Sequence, residues 1–281
     1  YSSTATGSGS YAYSASSAVG NNSFALYSSN AVGYSSTAAL GSNAIGNYST
    51  AVFGSNAVGN YSSATGTYSV AMGNGSTADS AYSTAVGAYS SATNTSATAL
   101  GAYSVASGVN STASGANAQA TFDGATATGA NSLAGNTNTT ANGVGAQATG
   151  TGSTAVGAGA VASSNNSVAI GAGSTTGARD NTVSVGAVGA ERQITNVAAA
   201  TVGTDAVNLN QMNSADAAVL VSANNYTDAQ VAAVVIDMSG FQDQLDLFGG
   251  QLQGLNKRVD QVGAMSAAMA QMSAAASGNT S

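Results

Sequence analysis

Small apolar residues and glycine recur at a nearly constant interval along the first 171 residues. Ser153 to Gly159 reads STAVGAG and Asn166 to Ser174 reads NSVAIGAGS, so that Gly157 and Gly171 lie 14 residues apart. Alanine stands two residues before each glycine of this series, and an aliphatic residue usually stands directly before it. These main glycines, 13 or 14 residues apart, are Gly7, Gly20, Gly33, Gly46, Gly59, Gly73, Gly87, Gly101, Gly115, Gly129, Gly143, Gly157 and Gly171. A fixed period carried by several residue types predicts a repeat architecture.

Each repeat fits one turn of a parallel β-solenoid, with two short strands and two tight bends. A unit of this length is too short for the helix pairs of most solenoids, and its regular glycine would weaken helices. In an extended STAVG segment, Ser83 and Ala85 share one face, while Thr84 and Val86 share the other. We expect the small residues to line a narrow lumen and the main glycine to form a bend where a Cβ would clash. The aliphatic face has no cover within one chain and predicts partner chains.

A second periodicity follows in the last third of the chain. Ten apolar residues are separated alternately by three and four positions, namely Val231, Val234, Met238, Phe241, Leu245, Phe248, Leu252, Leu255, Val259 and Val262. This heptad seam predicts a left-handed coiled coil. One long amphipathic helix packed on a globular core is the alternative, but the sequence offers no such core.

Charge and composition exclude several classes of function. Only 5% of the residues are charged, the net charge is −7, and Cys, His, Pro and Trp are absent. Four basic residues form no patch that could neutralise phosphates, so we expect no nucleic-acid partner. Without Cys or His we expect no thiol nucleophile, no Ser–His pair, no common zinc site and no cofactor. The sequence has no run of 18 apolar residues, which argues against a transmembrane helix.

The segment from Arg179 to Met212 breaks the repeat and reads RDNTVSVGAVGAERQITNVAAATVGTDAVNLNQM. This pattern resembles the neck of trimeric autotransporter adhesins, and NSVAIGAGS resembles the head repeat of the same family. Ala200 stands where that family usually has glycine, and Met212 stands where it usually has leucine. The resemblance implies a left-handed parallel β-roll in a homotrimer, followed by a neck and a parallel trimeric α-helical coiled coil.

Four segments follow from the repeats, the heptads and the resemblance. We expect a β-roll head over 1–178, a neck over 179–212 and a coiled-coil stalk over 213–262. Residues 263–281 resemble the helix that enters the membrane anchor of the family. No alternating strand pattern follows that helix before the last residue, so we expect the strands of the anchor barrel to lie outside this sequence.

Two functions remain open at this point. The resemblance implies a non-enzymatic adhesin on the bacterial cell surface, anchored in the outer membrane, whose trimeric head attaches to extracellular matrix such as collagen, to abiotic surfaces or to sister cells. Three identical faces would raise avidity without strong single sites. A passive spacer or surface coat is the alternative, with rows of threonine facing ice or a crystal. These threonines are also ordinary strand formers.

Candidate residues are few. Seven tyrosines fall at predicted bends or outward positions, and we single out Tyr48, Tyr61, Tyr89 and Tyr103 as a binding set because tyrosine is frequent in binding hot spots. The others are Tyr34, Tyr68 and Tyr82. Alternatively, the rings cap the bends or fill the seam between chains. In the neck, we expect Arg192 to pair with Asp205 across chains.

Overall fold

The structure, a computed structural model, describes residues 2–277. The chain divides into two compact units, Tyr1–Gln193 and Ile194–Ser281. The first unit contains all the described strands, and the second contains one long helix.

The described strands of the first unit are short and follow one another in a regular order. In chain order they are β1 (Thr4–Thr6), β2 (Tyr11–Tyr13), β3 (Ser17–Val19), β4 (Phe24–Leu26), β5 (Asn30–Val32), β6 (Thr37–Ala39), β7 (Asn43–Ile45), β8 (Thr50–Ala51), β9 (Asn56–Val58), β10 (Ser63–Ala64), β11 (Val70–Met72), β12 (Thr77–Ala78), β13 (Thr84–Val86), β14 (Ser91–Ala92), β15 (Thr98–Leu100), β16 (Val105–Ala106), β17 (Thr112–Ser114), β18 (Gln119–Ala120), β19 (Thr126–Thr128), β20 (Leu133–Ala134), β21 (Thr140–Asn142), β22 (Gln147–Ala148), β23 (Thr154–Val156), β24 (Val161–Ala162), β25 (Val168–Ile170) and β26 (Val183–Ser184).

These strands form a parallel β-solenoid, as the 14-residue period predicts. Over residues 2–277, the odd-numbered strands with β26 form a 14-stranded sheet, and the remaining even-numbered strands form a 12-stranded sheet. Every strand pairs in parallel with the strand one turn away, and alanine pairs with alanine from turn to turn, as in Ala71–Ala85–Ala99. Each repeat thus forms one turn of the solenoid.

The lumen of the coil is filled by the smallest side chains. Ala85 and Ser83 are fully buried, whereas Val86 points outward, so the division of faces predicted from alternation is confirmed. In most turns a serine three residues after the main glycine closes the bend, because its hydroxyl donates to the carbonyl of that glycine, whereas the Ser174 hydroxyl donates to the Ile170 carbonyl. Ser90 Oγ, for example, donates to the Gly87 carbonyl at 2.9 Å.

The main glycines are required by the stacking of successive turns. At Gly87, with φ of +135°, an added Cβ would lie 2.5 Å from the carbonyl carbon and oxygen of Gly101 in the next turn. No L-residue fits that conformation and that contact together. The predicted role of glycine at this bend is confirmed.

The second unit contains helix α1 (Leu209–Ser277), 69 residues long. Asn208 caps its start, since its side-chain oxygen accepts the Gln211 backbone N–H at 3.0 Å. The helix begins inside the segment assigned to the neck and spans the whole predicted stalk. The apolar heptad residues are all exposed along this single helix. No helix among residues 2–277 is long and apolar enough to cross a membrane, and residues 278–281 of the predicted anchor helix lie outside the described part.

Candidate binding surface

Each turn of the solenoid has a first bend directly after its main glycine, and one position of that bend is left-handed. From the turn of Gly20 onward, the residue two places after the main glycine has φ between 51 and 67°. From turn to turn this position is held by Asn22, Ser35, Tyr48, Tyr61, Gly75, Tyr89, Tyr103, Asn117, Asn131, Gly145, Gly159 and Gly173. The four tyrosines of the predicted binding set therefore occupy one equivalent position in four turns. They are called the first-bend tyrosines below.

Tyrosine is an unusual choice for a left-handed residue. Asparagine and glycine adopt this conformation readily, whereas for other L-residues it costs about 1–2 kcal/mol of conformational free energy. The chain itself uses asparagine or glycine at the same position in most other turns. A bulky ring thus occupies a backbone position that favours smaller residues, a condition often found at functional sites.

The first-bend tyrosines partly offset this cost by stacking. The rings of Tyr48 and Tyr61 have centroids 5.0 Å apart and planes within 8° of each other. Tyr89 and Tyr103 stack in the same way at 5.3 Å and 13°. Such aromatic pairs contribute about 0.5–1.5 kcal/mol. The stack also restricts solvent, which raises the pKa of Tyr48 above its ordinary value, and charges on ionised Tyr34 and Tyr61 would raise it further.

A second aromatic row lies on the opposite bend of the coil. Tyr68 and Tyr82 stack there at 6.0 Å, and Tyr13 packs edge to face against Tyr27 at 5.8 Å. The seven tyrosines grouped by the sequence therefore belong to two separate rows. Phe53 also holds a left-handed position of this second bend, and the sequence pattern did not single it out.

The outward face of the 14-stranded sheet carries two columns of aligned side chains. The aliphatic column is partly exposed and consists of Val19, Val32, Ile45, Val58, Met72, Val86 and Leu100. Ser114, Thr128 and Asn142 continue it as a polar stretch before Val156 and Ile170. The threonine column stands beside it, in register from strand to strand, and consists of Thr84, Thr98, Thr112, Thr126, Thr140 and Thr154.

Arg192 lies at the end of the solenoid, and its guanidinium contacts the last turns. Nη1 donates to Ser174 Oγ and to the Val185 carbonyl, both at 2.7 Å, and Nη2 donates to the Ala172 carbonyl at 2.6 Å. In the preceding turn, the Ala158 carbonyl accepts the backbone N–H of Gly173. The guanidinium therefore takes the place that the backbone of a further turn would fill.

Two carboxylates near Arg192 in sequence bind backbone N–H groups of their own segments. Glu191 Oε1 accepts the Gly189 N–H at 2.9 Å, and this hydrogen bond lowers the pKa of the Glu191 carboxyl. Asp205 accepts the N–H groups of Thr201 and Val202 at 2.9 and 3.1 Å, which lowers its pKa. Pairing of Arg192 with Asp205 of another chain stays a prediction.

Solenoid repeats, a segment that ends them and a long helix with an uncovered heptad seam define a class of repeat proteins that combine a β-solenoid with a coiled-coil helix. Comparison with known families agrees with this class. A model described as "YadA head domain repeat (2 copies)" matches residues 53–76, 64–90, 78–104, 106–132, 134–160 and 148–174. A model described as "Coiled stalk of trimeric autotransporter adhesin" matches residues 193–235.

The chain therefore belongs to the trimeric autotransporter adhesins, a family of bacterial surface adhesins. Among solved structures, it is similar to the collagen-binding domain of the Yersinia adhesin YadA. The identity is 28%, the match covers 72% of this chain and 84% of that chain, and the TM-score is 0.27. No curated protein matches this sequence.

Proposed function

We propose that three copies of this chain form a non-enzymatic adhesin and that the solenoid of each head is left-handed. In this proposal the first-bend tyrosines attach the bacterial surface to extracellular matrix. The observation that carries the proposal is the row of exposed tyrosines at left-handed positions, where asparagine or glycine would cost less. Tyrosine supplies large contact area with little loss of side-chain entropy. Attachment to abiotic surfaces and to sister cells uses the same surface in this proposal.

The uncovered apolar surfaces support the trimer. The aliphatic column is exposed in one solenoid, and the heptad seam is exposed along one helix. Seams of this kind are stable in water only when other helices cover them. The helix is weakened by about 1 kcal/mol at each of three glycines, Gly240, Gly249 and Gly250. Packing against other helices would offset this loss of stability.

Sedimentation equilibrium tests the assembly directly. We expect a single folded species with three times the chain mass of 26.7 kDa. Leu245→Asp combined with Leu252→Asp should shift the mass toward the single chain, because the carboxylates would lie in the seam. Gln244→Asp, on the same helix but outside the seam, serves as the control. A folded protein with the mass of one chain would contradict the proposal.

The spacing of alternate turns, such as those that carry Tyr61 and Tyr89, supports an extended matrix ligand. Collagen is built of polyproline II chains with a rise of about 3.1 Å per residue, so three residues span about 9.3 Å. Two turns of a β-solenoid span about 9.6 Å at the usual distance between strands. Every third residue of such a chain would thus meet an equivalent position on alternate turns, and aromatic surfaces are a recurring way to bind this conformation.

Replacing the first-bend tyrosines with asparagine tests the binding role without disturbing the bend. The variant carries Tyr48→Asn, Tyr61→Asn, Tyr89→Asn and Tyr103→Asn, and asparagine already occupies this position at Asn117 and Asn131. We expect attachment to collagen, measured beside fibronectin, laminin, plastic and the protein itself, to fall at least about tenfold, since hot-spot residues each contribute about 2 kcal/mol or more. The melting temperature should stay within a few degrees of the unsubstituted protein.

Tyr68→Asn with Tyr82→Asn is the matched control, because these residues hold left-handed positions on the opposite bend. We expect this control to attach normally. If the fourfold variant also attaches normally, the tyrosines are structural and the ligand surface lies elsewhere. If the fourfold variant melts at a much lower temperature, their role is to hold the bends together.

A passive spacer or coat is the second candidate, and the threonine column is the observation in its favour. Six threonines stand in register on the outward side of one sheet, and no partner hydroxyl or carbonyl within residues 2–277 binds the Thr112, Thr126 or Thr140 hydroxyls. Two results together would favour this function. The protein would attach to no surface in the panel, and it would slow ice recrystallisation. The variant with Thr112→Val, Thr126→Val and Thr140→Val would lose that effect on ice.

A further inference from the structure

The first-bend row of stacked tyrosines lacks a ring in one turn. Tyr48 and Tyr61 stack on the N-terminal side of Gly75, and Tyr89 and Tyr103 stack on its C-terminal side. Gly75 has φ of +64° and holds the same position of the bend as the four tyrosines. The row is therefore interrupted by a space between Tyr61 and Tyr89, called the Gly75 gap below.

The backbone keeps the Gly75 gap at a fixed width. Gly75 N donates to the Asn60 carbonyl at 2.9 Å, and Tyr89 N donates to the Asn74 carbonyl at 2.8 Å. Because these hydrogen bonds continue the ladder without a break, Tyr61 and Tyr89 stand two turns apart, about 9.6 Å at the usual spacing of strands.

At the backbone, the gap of about 9.6 Å leaves room for one planar group. A group stacked between two rings needs about 7–8 Å between the outer planes, with contacts of about 3.5–4.0 Å on each side. The ring of Tyr89 leans toward the gap, since a Cβ added to Gly75 would lie 2.8 Å from two of its ring carbons. Tyr61 is the most exposed of the four, at 62% against 47% for Tyr48, as expected for a ring with one face uncovered.

Charge favours a cationic occupant. No lysine or arginine precedes Arg179, and the only charged side chains of the head before that residue are Asp79 and Asp123. The turns before Arg179, which include those around the gap, therefore hold no cation that could fill it. Both walls of the gap are electron-rich tyrosine faces, which attract a guanidinium or ammonium group.

We propose that the Gly75 gap binds the guanidinium group of an arginine side chain on the adhesion target, between the rings of Tyr61 and Tyr89. A guanidinium is planar, weakly hydrated and stacks on aromatic faces, whereas the ammonium of lysine is a compact, strongly hydrated point charge. This proposal rests on the proposed function and adds to it the chemical group that the tyrosine row selects.

Gly75→Tyr tests the proposal, because it completes the tyrosine row and fills the gap. Tyrosine adopts nearly the same φ at Tyr61 and Tyr89, and the three atoms nearest an added Cβ all belong to the Tyr89 ring, which has to withdraw. The full chain is titrated with N-acetyl-arginine amide while NMR follows tyrosine ring signals. We expect the signals of Tyr61 and Tyr89 to shift in the unsubstituted protein and to stay unchanged in Gly75→Tyr. Attachment to collagen should weaken about 2- to 30-fold, the range of a cation–π contact.

Gly145→Tyr is the matched control. Gly145 holds the same position of the bend with φ of +65°, nothing lies within 4 Å of an added Cβ, and no tyrosine flanks it. It should bind N-acetyl-arginine amide as the unsubstituted protein does. Should Gly75→Tyr fail to fold, Tyr61→Asn removes one wall of the gap and is expected to abolish the shift of the Tyr89 signal.

Four results would contradict the proposal. N-acetyl-lysine amide shifting the same signals equally would show that any cation binds, and N-acetyl-tryptophan amide doing so in place of the arginine compound would show an aromatic occupant. Normal attachment of Gly75→Tyr, alongside loss of attachment in the fourfold asparagine variant, would remove the guanidinium site and leave the proposed function standing. Normal attachment of both variants would contradict both proposals.

Discussion

Gly87→Ala is expected to lower the free energy of unfolding by at least about 3 kcal/mol. The φ of +135° at Gly87 belongs to a region that L-residues occupy at a cost of about 1–3 kcal/mol. In addition, the new methyl group would lie 2.5 Å from the Gly101 carbonyl, which is held in the next turn by backbone hydrogen bonds. For a unit of this size the melting temperature should fall by about 6–12 °C. Thermal unfolding followed by circular dichroism measures the change.

Gly145→Ala provides the comparison within the same kind of bend. Its φ of +65° is accessible to L-residues at a cost of about 1–2 kcal/mol, and an added Cβ meets no atom within 4 Å. We expect a fall of only a few degrees. If Gly87→Ala and Gly145→Ala had the same melting temperature, the close approach of successive turns would not be the reason for glycine at the main positions.

The lumen and the main glycines could be predicted from the sequence because each depends on a short, local pattern. The alternation of Ser83 and Ala85 with Thr84 and Val86 assigns faces directly, and one face of a narrow coil has room only for small residues. The structure places these side chains as expected. The heptad pattern likewise predicted a helix, since its period differs from that of a strand.

The distribution of tyrosines over two bends could not be read in the same way. Tyr61 and Tyr68 are seven residues apart, and both have φ near +57°, but they belong to opposite sides of the coil. Sequence spacing shows that each tyrosine stands near a bend, whereas the stacking of Tyr61 on Tyr48 depends on which turns are neighbours in space. The Gly75 gap depends on the same three-dimensional neighbours.

The contacts of Arg192 could not be predicted from the sequence either. Its position beside acidic residues suggests ion pairs, but two of its three hydrogen-bond acceptors are backbone carbonyls, which any residue supplies. Ala172 and Val185 present these carbonyls because the solenoid has no further turn to pair with them. The end of a repeat array creates such acceptors only once the array has formed.

Arg192→Ala is expected to destabilise the end of the solenoid by about 2–3 kcal/mol. A hydrogen bond to a charged group contributes about 1.5–3 kcal/mol, and because Arg192 is exposed in the single chain, solvent limits its three hydrogen bonds together to this range. Loss of the guanidinium leaves the Ala172 carbonyl without this donor. We expect a fall of several degrees in melting temperature and faster amide exchange near Ser174, measured by mass spectrometry.

Arg192→Lys should recover only part of this stability, because one ammonium cannot reach acceptors on both sides of a planar guanidinium. Arg179→Ala is the control, since no side-chain hydrogen bond of Arg179 is present in the described part of the chain. An unchanged melting curve and unchanged exchange for Arg192→Ala would rule out the capping role.

A double-mutant cycle in the assembled protein separates this cap from the predicted pairing between chains. Asp205→Ala alone should also destabilise, because Asp205 accepts the N–H groups of Thr201 and Val202. If each side chain serves only its own chain, the effects of Arg192→Ala and Asp205→Ala should add within about 0.5 kcal/mol. A coupling energy above about 1 kcal/mol would instead support an ion pair between Arg192 of one chain and Asp205 of another.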